Sequence, residues 1–118
     1  MDFSNNRLVI LESHTFENLN IQNTMSLVNN QITRINSQAF NGLTIEWLDL
    51  QGNPVRALHW KSFSSVAVSE AIFLNSLLFS TIPTYTFYDV SAKNIFLHDG
   101  KVETIEFEAF YDVSTSED

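Results

Sequence analysis

Cysteine is absent from the chain. Disulfides, a CxxC redox centre and cysteine-based zinc sites are therefore excluded, while the compartment stays open. Basic residues are scarce: six Lys and Arg stand against fourteen Asp and Glu, for a formal net charge of −8. A nucleic-acid surface needs clustered Lys and Arg to displace counterions, so none is expected. The same acidity disfavours adsorption to anionic membranes. No apolar run approaches the roughly 20 residues of a spanning helix, so this segment is not expected to insert in a bilayer. The N-terminus, MDFSNNRLVI, shows no positive region followed by an apolar stretch, and no signal peptide is visible. No N-x-Ser/Thr glycosylation acceptor occurs. The chain has only three glycines and contains neither G-x-x-x-x-G-K nor G-x-G-x-x-G, so a phosphate-cradling loop is not indicated and no cofactor is expected.

What is present is a globular composition, 44% hydrophobic and 17% charged, in a length suited to one domain. Within it runs a repeat. Phe16, Phe40, Phe63, Phe87 and Phe110 are spaced 24, 23, 24 and 23 residues apart. Other apolar columns keep that spacing. One is Leu11, Ile35, Leu58, Ile82, Ile105, and another is Leu8, Ile32, Val55, Phe79, Val102. Ahead of these stand Met1, Met25, Leu48, Ile72, Ile95 and then Phe3, Leu27, Leu50, Leu74, Leu97. A last column, Leu19, Leu43, Val66, Val90, Val113, follows each phenylalanine. The five units cover about 1–20, 21–44, 45–67, 68–91 and 92–113, with 114–118 an acidic tail.

Local periods predict the shape of a unit. Met25-Ser-Leu27, Leu48-Asp-Leu50, Ile72-Phe-Leu74 and Ile95-Phe-Leu97 alternate with period two, as in a short strand. A polar turn follows, and then looser apolar spacing that predicts an irregular, short 3₁₀ or one- to two-turn helical return. Such a unit cannot bury its apolar face alone, whereas stacked units turn each column into a continuous interior ridge.

These columns resemble the leucine-rich repeat family over essentially the whole chain. The second unit carries the pattern best, in Met25-Ser-Leu27-Val-Asn-Asn30-Gln-Ile32-Thr-Arg-Ile35 followed by Ala39-Phe40-Asn-Gly-Leu43. The third continues with Leu48-Asp-Leu50-Gln-Gly-Asn53-Pro-Val55, and the fourth carries the consensus proline, Pro83. The resemblance implies an α/β fold: a curved right-handed β-α solenoid with a parallel sheet on its concave face and a mostly irregular or 3₁₀ convex side. The Phe position and period look like the "typical" subtype, which is common in extracellular receptor and adhesion proteins. The implied location is therefore extracellular or cell-surface, and the implied role is non-catalytic binding of a protein ligand.

The consensus asparagine, present as Asn6, Asn30 and Asn53 and replaced by Leu77 and Gly100, can donate and accept where the chain leaves the strand. Met1 already occupies a core column, and no cap is evident at either end. The expectation is a fragment, a degenerate member, or a chain whose uncapped ends pair into a homodimer.

The resemblance also implies that ligand binds at outward strand positions. The central outward column is Asp2, Ser26, Asp49, Phe73, Phe96, the next is Ser4, Val28, Gln51, Asn75, His98, and the preceding one includes Trp47, Ala71 and Asn94. The candidate site is thus an apolar centre of Phe73 and Phe96 bordered diagonally by Trp47, with a rim of Asp49, Gln51, Asn75 and His98. The competing reading is that Phe73 and Phe96 simply pack on each other across strands.

Catalysis fits poorly. His14 and His59 fall in return segments while His98 falls on the sheet, so a histidine metal site is not expected. Ser76, His98 and Asp99 fall close enough in the stacked units to weigh as a Ser-His-Asp set, but Asp99 sits in the turn and no oxyanion hole is evident. Glu103, Glu106, Glu108, Glu117 and Asp118 lack calcium-loop spacing. A structural spacer and an intracellular regulatory repeat are the other functions the pattern allows.

Overall fold

The computed structural model describes residues 1–74, 81–96, 104–105 and 110–114. Ten strands follow in chain order: β1 (Ile10–Leu11), β2 (Thr24–Ser26), β3 (Arg34–Ile35), β4 (Thr44–Asp49), β5 (Ala57–Leu58), β6 (Phe63–Phe73), β7 (Thr81–Ile82), β8 (Phe87–Phe96), β9 (Thr104–Ile105) and β10 (Phe110–Ser114). Every pairing is parallel. One sheet runs β10-β8-β6-β4-β2, a second β1-β3-β5 and a third β7-β9. Each repeat is one coil of a solenoid, and each coil lies on the next in the register that the apolar columns define. Leu48 pairs with Met25 and Ile72, and Leu58 follows Ile35 in the second sheet.

The parallel-strand solenoid agrees with the sequence. The helical component does not: no helix occurs among the described residues, and the second half of the return is strand. Phe63 to Phe73 is one continuous element whose burial alternates through Ser64, Val66 and Val68 inward and Ser65, Ala67 and Ser69 outward. The physical reason lies in composition. β-branched Val66, Val68 and Val90 alternate with small or polar residues, which suits a half-buried pleated surface and gives no helical face.

The spacing of 24, 23, 24, 23 has a structural cause. Asn20 pairs with Thr44, Ala67 and Ser91 in succession, and Thr24 pairs with Trp47, Ala71 and Asn94. Between these two ladders the first coil places residues 21–23, the second only 45–46, the third 68–70 and the fourth only 92–93. The register shift between Ile45 and Trp47 and that between Val68 and Ala71 are this alternation seen in the sheet. A bulge of this kind bends a strand and re-aims its side chains without ending the pairing. All other columns stay in step because one corner absorbs the extra residue.

Three further corners are turned by left-handed residues stacked in columns: Asn5, Asn29 and Gly52, then His14, Gln38, Lys61 and Tyr85, then Asn18, Gly42, Ser65 and Asp89. Asn tolerates this region best among side-chain-bearing residues, and the first and third columns use it. Gly42 (φ 81°) has a second constraint: a Cβ there would collide with Oδ1 of Asn18 on the coil below. Corner amides continue the inter-coil ladder, as in Gly42 N to Ser65 O (2.8 Å) and Lys61 N to Tyr85 O (2.9 Å).

Inside, the phenylalanine column forms a spine. Rings of Phe16 and Phe40, Phe40 and Phe63, and Phe63 and Phe87 stack with centroids 5.6, 5.3 and 5.1 Å apart and planes within 10°. Phe40, Phe63 and Phe87 are fully buried, each worth roughly 1.5–3 kcal/mol of transfer free energy. Beside the spine runs the asparagine ladder. Nδ2 of Asn53 donates to Leu50 O (2.9 Å) in its own coil and to Leu27 O (2.8 Å) in the one before, while its Oδ1 accepts from Ile32 N (3.2 Å). Asn30 repeats this with Leu27 O, Phe3 O and Leu8 N. The column thus satisfies strand-end backbone groups, as expected, and also ties neighbouring coils together. Leu77 and Gly100, which replace the asparagine, lie outside the described residues.

Candidate functional site

The long sheet presents its outward positions as two ladders. One is Thr24, Trp47, Ala71, Asn94; the other is Ser26, Asp49, Phe73, Phe96, extended by a bridge from Asp2 to Ser26. Phe73 and Phe96 are direct register partners, and their rings stack at 5.0 Å with planes 7° apart. Trp47 is the register partner of Ala71, yet its ring stacks on Phe73 at 5.7 Å and 5°. Alanine leaves room, and the wide indole leans diagonally toward the neighbouring ladder, within the reach of aromatic side chains across a sheet. All three rings are half-buried. The three aromatic candidates therefore form one continuous stack.

Asp49 and Gln51 also meet. The carboxylate of Asp49 accepts from the Gln51 amide N–H (3.0 Å) and from Gln51 Nε2 (3.2 Å). Asp2 does the same two coils earlier, accepting from the amide and the hydroxyl of Ser4. The Ser4 hydroxyl, and then its amide, hold the Asp2 carboxyl below the usual carboxylate range. An aspartate leaving a strand in this way closes an Asx turn, which is its structural role. Asn75 and His98, the other two rim candidates, lie outside the described residues, as do Ser76 and Asp99.

Two features escaped the sequence reading. The first is a groove of about 630 Å³ along the corner that absorbs the extra residue, lined by Asn20–Asn23, Thr44–Glu46, Ala67–Ser69 and Ser91. It lies beside the aromatic stack, on the segment expected to be irregular. The second is an aromatic cluster at another corner. Tyr88 and Tyr111 stack at 5.3 Å, Tyr85 packs against both, and Lys61 Nζ lies 4.3 Å from the Tyr88 ring centre and 4.5 Å from that of Trp60. Tyr88 and Tyr111 occupy one column, immediately after Phe87 and Phe110, so the signal was available in the repeat alignment.

His14 pairs with Glu17 at the surface (3.4 Å), and the Nε2 of His59 is buried without a hydrogen-bond partner. Among the described residues no group of three or more His, Asp or Glu side chains is placed to hold a metal ion, and no helix is long and apolar enough to cross a membrane.

No curated protein and no solved structure matches the chain. A family model does: that of the BspA-type leucine-rich repeat region, in six copies over residues 2–117. Six copies and five coils divide the same residues differently, since the pairing fixes a period of 23 or 24. The match carries the family and not the "typical" subtype inferred from the Phe position. With apolar columns, asparagine ladder and family model in agreement over nearly its full length, the chain belongs to the BspA-type leucine-rich repeat family.

Proposed function

We propose that this solenoid is a non-catalytic protein-recognition module, working at the cell surface or outside the cell, that takes a protein ligand on the outward face of its long sheet. The observation that carries the proposal is the stack of Trp47, Phe73 and Phe96, three half-exposed rings contiguous across three coils. Rigid aromatics with partly open surface are what interface centres are made of, and Asp49 and Gln51 supply a polar margin. Their strands are held in the parallel ladder of the long sheet and the rings are already stacked on one another, so little ordering is left for the moment of binding.

The test separates binding from packing. A displayed peptide library is panned on the wild-type chain and on Phe73→Ser with Phe96→Ser. The expected outcome is a double variant with unchanged circular dichroism that loses the wild-type-selected clones. If the double variant unfolds, the rings are core and the proposal fails. If it folds and keeps every clone, the ligand face lies elsewhere.

A further inference from the structure

We infer that the partner segment this face takes is basic, with an arginine side chain stacking on the open side of Trp47 between the carboxylates of Asp2 and Asp49. The inference rests on the recognition role proposed above and names the chemistry of its partner.

Three observations converge. First, the aromatic stack ends at Trp47. Its one ring partner among the described residues is Phe73. On the other side, one strand further, the ladders offer only Thr24 and Ser26, which are too small to cover an indole. A flat guanidinium continues such a stack, by dispersion and by attraction to the ring's negative face. Second, Ser26 stands between Asp2 and Asp49 in a single ladder. At about 5 Å per strand, the two carboxylates flank the space over Ser26 from about 10 Å apart. Each is held by its own Asx turn, so each is oriented before a ligand arrives, and a carboxylate retains acceptor capacity for a charge-assisted bond.

Third, charge is segregated around the solenoid. Asp2, Glu46, Asp49 and Glu70 belong to the strands and edge of the long sheet, where the cations among the described residues are Lys93 and the N-terminal ammonium, which donates to the Thr24 carbonyl (3.1 Å). Arg34 lies on β3, Arg56 immediately precedes β5, Arg7 precedes β1, and Lys61 sits at the corner before β6. The aromatic face is therefore the acidic face of a chain carrying −8 overall, and a basic segment is both steered to it and matched on it.

The experiment uses the full chain with Trp60→Phe, which leaves Trp47 as the sole tryptophan. Its fluorescence is titrated with three hexapeptides alternating Gly with Arg, Glu or Gln. The Arg peptide is expected to perturb Trp47 saturably and the other two not to. Asp49→Asn is expected to weaken the response about three- to tenfold, and Asp2→Asn with Asp49→Asn to abolish it. Asparagine keeps both turns, and circular dichroism checks the fold. Glu12→Gln with Glu17→Gln removes the same charge elsewhere and is expected to change affinity less than about twofold. Equal weakening by both double variants overturns the inference, because binding would then follow net charge alone. An equal response to the Gln peptide overturns cation recognition but leaves the face a protein site. Silence toward all three peptides, with library clones still lost in Phe73→Ser/Phe96→Ser, overturns this inference and spares the recognition role. If those clones also persist, both fall.

Discussion

Asn53 and Asn6 occupy equivalent positions in different surroundings, and the difference separates two kinds of asparagine. Asn53 is 1% exposed and serves four backbone groups on two coils, the longest contact being to Gln51 O at 3.4 Å. Removing its amide strands Leu50 O and Ile32 N–H in the interior, where an unsatisfied group costs about 1–3 kcal/mol, while Leu27 O keeps the bond from Asn30 Nδ2. Asn6 is exposed, and the Phe3 carbonyl it binds also receives Asn30. We expect Asn53→Ala to lower unfolding free energy by about 2–4 kcal/mol in urea titration, and Asn6→Ala by about 0.5 kcal/mol or less. Comparable losses at the two positions would show that the ladder acts through local turn geometry and not through inter-coil bonding. This role was legible in the sequence, because only a side chain that both donates and accepts suits a strand exit. The link to the preceding coil was not, since it depends on which carbonyls the stacking brings within reach.

At the scale of the element, β6 is where sequence reading and structure part. The inward columns placed Phe63 and Val66 correctly in the interior. They did not show that the residues between them are extended, because positions three apart suit a helix or an irregular return equally well. The available signal was the alternation Val66-Ala-Val68-Ser, at the short limit of what marks a strand. The element makes a sharp prediction. Ala67 sits mid-strand, between β4 and β8, and its N–H donates to Leu43 O at 2.9 Å. Proline there deletes a ladder bond and presses its ring on the neighbouring strand. Ala67→Pro is expected to cost about 3 kcal/mol or more, seen as a lower thermal midpoint. An irregular convex loop would tolerate the same change nearly without loss, and that result would remove β6 as a continuous strand. The aromatic stack was half legible by comparison. The pairing of Phe73 with Phe96 follows from the columns alone, but the lean of Trp47 onto Phe73 requires the small Ala71 as its strand partner, which is a packing effect.

Across the whole molecule the arrangement is one-dimensional. Among the described residues each coil packs on the coils to either side, through the Phe spine, the asparagine ladder and the parallel strands. Stability in such a stack is a sum of coil and nearest-neighbour terms, so damage spreads by adjacency. Phe63 is the informative position because it stacks on Phe40 below and Phe87 above. Phe63→Ala should cost roughly 3–5 kcal/mol by leaving a cavity in the spine. Native-state hydrogen exchange would then report where that loss is felt. Amides of β6 and of its partners β4 and β8 should lose protection most, and those of β2, one coil further, less. Loss of equal size in all four strands would mean that the solenoid opens as a single unit and that coupling between coils exceeds their own stability. The graded outcome has a functional consequence for the acidic aromatic face. Trp47 and Asp49 lie on β4, while Asp2 and Ser26 belong to the coils before it. In Phe63→Ala β4 loosens together with β6 and β8, so Trp47 and Asp49 lose their fixed placement relative to Asp2, and an arginine peptide should perturb Trp47 more weakly in the same variant that loses the library clones needing the full stack.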